Sequence, residues 1–191
     1  GLEDVETFGK YLGGSATNVA IAAARHGLRT AVITATGDDP FGRFAHRELT
    51  RLGVDDRFVA TVPDLNTPVT FCEIFPPDNF PLYFYRTPIA PDLVLTNDNL
   101  DLDAISRARV FWATVTGLSK DPSRTAHHTA WEARGRAPLT ILDLDYRPMF
   151  WPSAEAATRE VEKALCKVTV AVGNREECEV AVGESDPHRA A

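Results

Sequence analysis

Leu12-Gly13-Gly14-Ser15-Ala16-Thr17-Asn18-Val19-Ala20-Ile21-Ala22-Ala23-Ala24-Arg25-His26-Gly27 runs into Thr30-Ala31-Val32-Ile33-Thr34-Ala35-Thr36 and then Gly37-Asp38-Asp39-Pro40. The glycine pair lets the backbone turn and lets a ligand approach without meeting a Cβ. Ser15 and Thr17 are N-cap types, so a helix is expected to open near them, and Gly27 is expected to close it. A helix start of this kind offers free N–H groups and a positive dipole end, and the Asn18 amide both donates and accepts. The combination suits a neutral polyhydroxy ligand or an anion. Thr30–Thr36 reads as one buried strand ended by the turn at Gly37–Pro40, and Phe41–Leu52 as a helix with Phe44, Leu49 and Leu52 on one face. Helix, strand, helix is the grammar of a layered α/β fold.

Further along the pattern changes. Arg57–Val62, Thr67–Phe75 and Phe80–Arg86 are three strand candidates, rich in β-branched and aromatic residues and separated by Pro and Asn/Asp turns. With no helix between them, they predict a small antiparallel sheet inserted into the α/β layer. Beyond Pro91 the α/β rhythm returns. Strands are expected at Val110–Val115, Leu139–Asp145 and Val168–Gly173, and helices at Ser123–Arg134 (Ser123 as N-cap), Ala154–Cys166 and Glu176–Val182. The organisation expected is core at 1–56, with a lid edge near its start, inserted lid at 57–87, and core again at 88–191.

Composition excludes several function classes. The 191 residues carry a net charge of −7 at pH 7, against the clustered basic residues that nucleic-acid binding needs. No apolar run approaches the roughly 20 residues of a membrane span, and no signal peptide is visible. Neither nucleic acid nor membrane is therefore expected as partner. Cys72, Cys166 and Cys178 are odd in number and far apart, which fits a reducing cytoplasm. No CxxC or HExxH occurs, and His127-His128 reads either as a metal pair or as a helix-surface pair. Cys72 has no His neighbour in sequence and is not expected to be a nucleophile. A nicotinamide dehydrogenase needs GxGxxG after its first strand, which Gly13-Gly14-Ser15 does not supply.

Open α/β sheets place ligands at strand C-termini, and three strands here end in polar groups: Gly37-Asp38-Asp39, Asp143-Leu144-Asp145-Tyr146-Arg147 and Gly173-Asn174-Arg175-Glu176-Glu177. Asp143 and Asp145 alternate onto one side of their strand. They can hold Mg²⁺, orient a hydroxyl or act as base, or else cap the turn and pair with Arg147. Arg147, stiffened by Pro148, suits carboxylate or phosphate. Asn174 and Glu177 either order a hydrated Mg²⁺ near phosphates or form a capping box, and the two are compatible. Leu82, Phe84 and Arg86 share one strand face. Arg86 is either the tip of a lid over a sugar acid or a solvated edge charge.

Gly13-Gly14-Ser15-Ala16-Thr17-Asn18, with its Ala-rich helix, resembles the GGxxxN signature of the ribokinase-like (PfkB) carbohydrate kinases. Gly37-Asp38-Asp39-Pro40-Phe41-Gly42 resembles their GxDxxG, Asn174-Arg175-Glu176-Glu177 their NxxE, and the inserted strands their lid. The runs Thr70–Leu82, Asp143–Trp151 and Val170–Glu179 are similar to the members that phosphorylate a keto-deoxy sugar acid of myo-inositol breakdown. The resemblance implies a ribokinase-like three-layer α/β/α sheet, partial here, with an inserted antiparallel β lid. It implies an ATP-dependent transfer, with Mg²⁺, to the hydroxyl of a sugar acid. Gly13, Gly14, Asn18, Asp39, Phe84, Arg86 and Arg147 would then meet the substrate, and Asp145, Asn174 and Glu177 would organise phosphate and Mg²⁺ without a direct metal ligand. Phe84 and Arg86 fall where the related keto-deoxygluconate kinases place a tyrosine and an arginine on the substrate, and Phe84 lacks the tyrosine's hydroxyl.

The family's DxxGAGD, which carries the anion hole and catalytic base, does not occur in these 191 residues, and neither does a first strand with a substrate-binding Asp. Both ends are expected to be incomplete, with no catalytic residue in this stretch, the base beyond Ala191, and no kinase activity from the stretch alone. The alternatives are another sugar kinase of the family, acting on 2-keto-3-deoxygluconate, fructose or ribose, or a non-catalytic sugar-binding module. A homodimer through the lid is the expected assembly.

Overall fold

In the computed structural model, which describes residues 1–191, helix α1 spans Ser15–Arg25. Its N-cap is Gly14, at φ 107°, and no side chain caps it. Ser15 and Thr17 thus lie inside the first turn rather than capping it, because the left-handed Gly14 swings the chain into the helix one residue earlier. The other end is a Schellman motif. Gly27 N–H reaches the Ala24 carbonyl at 2.9 Å and Leu28 N–H the Ala23 carbonyl at 3.1 Å, with Gly27 at φ 81° one residue past the C-cap His26.

The expected strand at Thr30–Thr36 is two short ones, β1 (Thr30–Ala31) and β2 (Thr34–Gly37). Helix α2 (Pro40–Arg51) leads to β3 (Val54–Asp55) and β4 (Val59–Val62). β1 pairs in parallel with β3, and β2 with β4. The break has a local cause: the partner strand turns at Asp56–Phe58, where Val59 N–H bonds back to the Asp56 carbonyl at 2.9 Å. β4 was expected in the antiparallel insert, but its parallel register on β2 places it in the α/β layer instead. Apolar residues of α1, α2 and these strands (Ala20, Ile21, Val32, Leu49, Val54 and Val59) form one core.

The antiparallel insert is a hairpin of two strands, β5 (Val69–Cys72) and β6 (Leu82–Tyr85). The register pairs Phe71 with Tyr83 and Thr70 with Phe84, so Phe71, Tyr83 and Tyr85 share one face and Thr70, Cys72, Leu82 and Phe84 the other. The N-terminal segment packs on part of the first face. Phe8 packs edge-on to Phe71 at 4.9 Å between ring centroids, and Glu73 accepts from Leu2 N–H and Tyr83 O–H, both at 2.7 Å. These elements form a compact unit, Gly1–Pro91.

The second unit, Asp92–Ala191, contains α3 (Leu102–Arg107), β7 (Phe111–Thr114), α4 (Ser123–Arg134), β8 (Thr140–Asp143), α5 (Ala154–Leu165), β9 (Val170–Val172), α6 (Arg175–Val182) and α7 (Pro187–Ala190). The strands form a parallel sheet in the order β7-β8-β9, with Thr114, Asp143 and Val172 abreast at its C-terminal edge. Parallel strands require crossovers, and α4 and α5 supply them. α5 buries Ala157, Val161 and Ala164, at spacings of four and three, into a core built on Trp131, Leu142 and the fully buried Val115 and Leu118. Ser123 opens α4 but does not cap it: the N-cap is Pro122, and the Asp121 carboxylate takes the Thr125 hydroxyl at 2.8 Å. The Arg134 guanidinium is buried at the far end of α4. It donates to Thr140 Oγ1 at 2.6 Å and to the carbonyls of Ile105, Ala108, Arg109 and Pro138 at 2.6–3.4 Å.

Candidate functional site

In the first unit the start of α1 presents its early N–H groups beside exposed Gly13, Gly14 and Asn18. A Cβ at Gly13 would meet nothing within 4 Å, so the approach to this backbone is open. A Cβ at Gly14 would be sterically tolerable but conformationally strained at φ 107°. Asn18, four residues into the helix, projects from its exposed surface.

Asp39 is engaged within its own unit. Its Oδ1 accepts from Gly42 N–H at 2.7 Å, capping α2, and its Oδ2 accepts from Thr67 N–H at 2.7 Å. Thr67 Oγ1 in turn accepts from Gly37 N–H at 2.9 Å. The carboxylate therefore ties the end of β2, the start of α2 and the loop after β4 into one clasp. Burial works to raise its pKa, but the N–H donors of Thr67 and Gly42, with help from the Thr67 side chain and Phe41, outweigh this and hold the carboxyl below its ordinary range. Both glycines of GxDxxG belong to the clasp. A Cβ at Gly37 would run into the Leu65 carbonyl and the Asp39 carboxylate, and one at Gly42 into the Gly37 carbonyl and the Thr36 and Thr67 hydroxyls. On the hairpin, Phe84 and Arg86 are half-buried, whereas Leu82, Tyr83 and Tyr85 are exposed. Arg86 is thus not a freely solvated edge charge.

In the second unit the C-terminal edge of the parallel sheet gathers the remaining candidates. Leu142 and Leu144 point into the core and Asp143 to the opposite side, as alternation requires. Asp145 lies beyond the end of β8, in a turn where its N–H meets Asp143 Oδ1 at 3.3 Å. Its carboxylate makes an ion pair with Arg147, 2.7 Å from Oδ1, and accepts from Thr116 Oγ1 at 3.3 Å on Oδ2. Arg147 remains 38% exposed at its side chain, so the guanidinium is anchored by Asp145 and still reachable. The structure forms the pairing of Asp145 with Arg147 that the sequence allowed.

Asn174 and Glu177 form the reciprocal capping box of α6: Glu177 N–H donates to Asn174 Oδ1 at 2.9 Å and Asn174 N–H to Glu177 Oε2 at 2.8 Å. Glu177 is 8% exposed, which leaves Oε1 and the Asn174 amide as the atoms free of the box. Gly173 is needed just before it, because a Cβ there would lie 2.8–3.1 Å from the Leu144 side chain. No group of three or more His, Cys, Asp or Glu side chains is gathered for a metal. His127 and His128 do not form a metal pair: His127 Nδ1 is 2.8 Å from the Ser123 carbonyl, and both rings meet Trp131 edge-on. Burial pushes both imidazoles below their usual pKa.

Sequence reading missed Thr67 and Thr116. Thr116 follows β7, so a fourth strand ends in polar groups (Thr114-Val115-Thr116), and that count was the available signal. Thr67 carries no signal, because its partners are 28 and 30 residues away.

Comparison with known proteins gives these geometries a family. The pfkB family carbohydrate kinase model matches residues 1–191. A protein of Geobacillus kaustophilus named 5-dehydro-2-deoxygluconokinase is 39% identical over 178 residues, 92% of this chain and 53% of its own length. A protein of the same name from Bacillus subtilis is 31% identical over 181 residues, 94% and 55% of the two chains. The chain thus spans about half the length of the curated relatives it matches. Among solved structures, a PfkB protein from Polaromonas sp. JS666 superposes with a TM-score of 0.88 at 23% identity, over 100% of this chain and 65% of that one. Fructokinase from Vibrio cholerae, with fructose, ADP and calcium ion bound, gives 0.78 at 25% identity, over 93% and 57%. The fold is ribokinase-like α/β, no helix is long and apolar enough to cross a membrane, and the chain belongs to the pfkB family of carbohydrate kinases.

Proposed function

We propose that this chain is the acceptor-binding part of an ATP-dependent kinase of a keto-deoxy sugar acid, with 5-dehydro-2-deoxygluconate the favoured substrate. The carrying observation is that relatives of that name match 92% of the chain at up to 39% identity. The open Gly13-Gly14 helix start and Asn18 supply donors and acceptors for sugar hydroxyls. Phe84 and Arg86 supply an apolar wall and a cation from the hairpin, which acts as the lid. Arg147, anchored but reachable, neutralises the acid group or the transferred phosphate, where a planar fork outperforms a point charge.

Nucleotide and Mg²⁺ fit the second unit only indirectly. Asn174 and Glu177 spend one acceptor each on the capping box, so what remains is hydrogen bonding to the water shell of a hydrated ion. When bound, Mg²⁺ neutralises phosphate charge, and phosphoryl transfer depends on such positioning and electrostatics. The chain's own contribution is to orient the acceptor. The catalytic base is assigned to residues outside these 191, and the 191 residues alone are expected not to turn over. The reaction belongs to inositol catabolism in the cytoplasm. A second copy packs in a homodimer against the hairpin face that exposes Tyr83 and Tyr85.

The test is a coupled assay for ADP release on the whole protein that carries this segment, with 5-dehydro-2-deoxygluconate, 2-keto-3-deoxygluconate, fructose and ribose. Preference for the first is expected. Turnover confined to fructose or ribose refutes the sugar-acid reading, and turnover by the 191 residues alone refutes the assignment of the base.

A further inference from the structure

We propose that Thr116 is a positioning residue for Arg147, acting through Asp145. The proposal rests on the reading of Arg147 as a substrate or phosphate contact. Thr116 sits in the single 3-10 turn Val115–Leu118 that follows β7, one strand over from the Asp145 turn. Both neighbours that set this turn, Val115 and Leu118, are completely buried. The turn is closed by Ser119, whose N–H and Oγ both donate to the Thr116 carbonyl, at 3.1 and 2.7 Å. From the helix side it is backed by the His127 ring. That ring lies so close to Gly117 that a Cβ there would overlap Nε2 and Cε1, and it is fixed by its bond to the Ser123 carbonyl. The Thr116 hydroxyl is therefore presented from a rigid base.

The hydroxyl faces two acceptors of one residue, Asp145 Oδ2 at 3.3 Å and the Asp145 carbonyl at 3.4 Å. Its single proton goes to one of them at a time, and the charged oxygen is the stronger acceptor. With Oδ2 held by Thr116, Oδ1 is aimed at Arg147, 2.7 Å away. Asp145 alone cannot fix the guanidinium, because the carboxylate rotates about χ2 and its turn is not part of the strand. Removing the hydroxyl frees that rotation and lets Arg147 sample orientations that miss the ligand. The cost falls on substrate binding rather than on the chemical step.

The experiment uses the whole protein, with 5-dehydro-2-deoxygluconate and ATP in the coupled assay. T116V keeps the shape and removes the hydroxyl, T116S keeps the hydroxyl, and R147A reports the underlying reading. KM for the sugar acid is expected to rise about three- to tenfold in T116V, the worth of a weakened charge-assisted contact, with kcat within about twofold and T116S close to the parent. T116V added to R147A is expected to cost nothing further. If R147A raises KM but T116V does not, or if T116S loses as much as T116V, the positioning role is overturned and the reading of Arg147 stands. If R147A leaves KM unchanged, that reading falls and takes this one with it. Should T116V fail to fold, T116A carries the same expectation.

Discussion

Replacing Asp39 separates a structural clasp from a ligand contact. In D39A, α2 loses its N-cap acceptor, worth about 0.5–2 kcal/mol. Thr67 N–H, part-buried, loses its partner as well, at about 1–3 kcal/mol for an unsatisfied donor. The two effects lie in one network and overlap, so a loss of about 2–4 kcal/mol is expected. For a chain of this size that lowers the thermal midpoint by about 5–15 °C. D39S, which restores the cap but cannot reach Thr67, should fall between. D39N should not rescue, because its amide keeps one acceptor and turns an NH₂ against the second N–H. The pH dependence has a definite sign. The folded-state pKa is depressed, so the stabilisation is present above the unfolded carboxyl value near 4 and is lost as pH falls through the lowered folded value. D39A should lose less on acidification than the parent over that window. The measurement is circular-dichroism melting of the chain from pH 7 to pH 3. Midpoints within 1 °C of the parent for D39A and D39N would refute the clasp and return Asp39 to a pure ligand role.

G42A should be destabilised by about 1–3 kcal/mol in urea titration, since its Cβ meets the immovable Gly37 carbonyl; an unchanged midpoint would mean the clasp is looser than described. R134K should lose about 2–4 kcal/mol, because a point ammonium cannot serve five acceptors spread over α3, the loops after α3 and before β8, and β8 itself. R134K as stable as the parent would show that water replaces the guanidinium. His127 has a depressed folded pKa, so below about pH 6.5 the unfolded chain takes up a proton that the folded chain refuses. Stability should fall as pH drops through that window, and H127F should flatten the fall; an equal slope in both proteins points to another group. R147K should raise KM for the sugar acid about tenfold in the whole-protein assay through loss of the planar fork, with kcat less affected.

The α/β rhythm was legible because it is local. Gly14, Gly27, Pro40 and Gly183 mark element ends through their own backbone preferences, and Asn174 with Glu177 announced a capping box within four residues. Candidate residues at the ends of β2, β8 and β9 were legible for the same reason. Strand pairing was not. β4 has the composition of a lid strand, yet it pairs in parallel with β2, since register depends on which edge is available and not on the strand's own residues. Helix caps failed where a neighbour intervened, as at Ser123, where Asp121 supplies the acceptor.

Sequence by itself marked most of the helices and strands and the polar residues at strand ends, because short-range propensity and spacing encode these, and its motif runs carried the family resemblance. Tertiary structure alone decided the partners that lie far away along the chain. Asp39 became a clasp through Thr67, 28 residues away, and Asp145 an arm between Thr116, 29 residues away, and Arg147. A carboxylate's partners are chosen by which N–H and O–H groups the fold brings within hydrogen-bonding distance, and that is a property of packing, which no local spacing records.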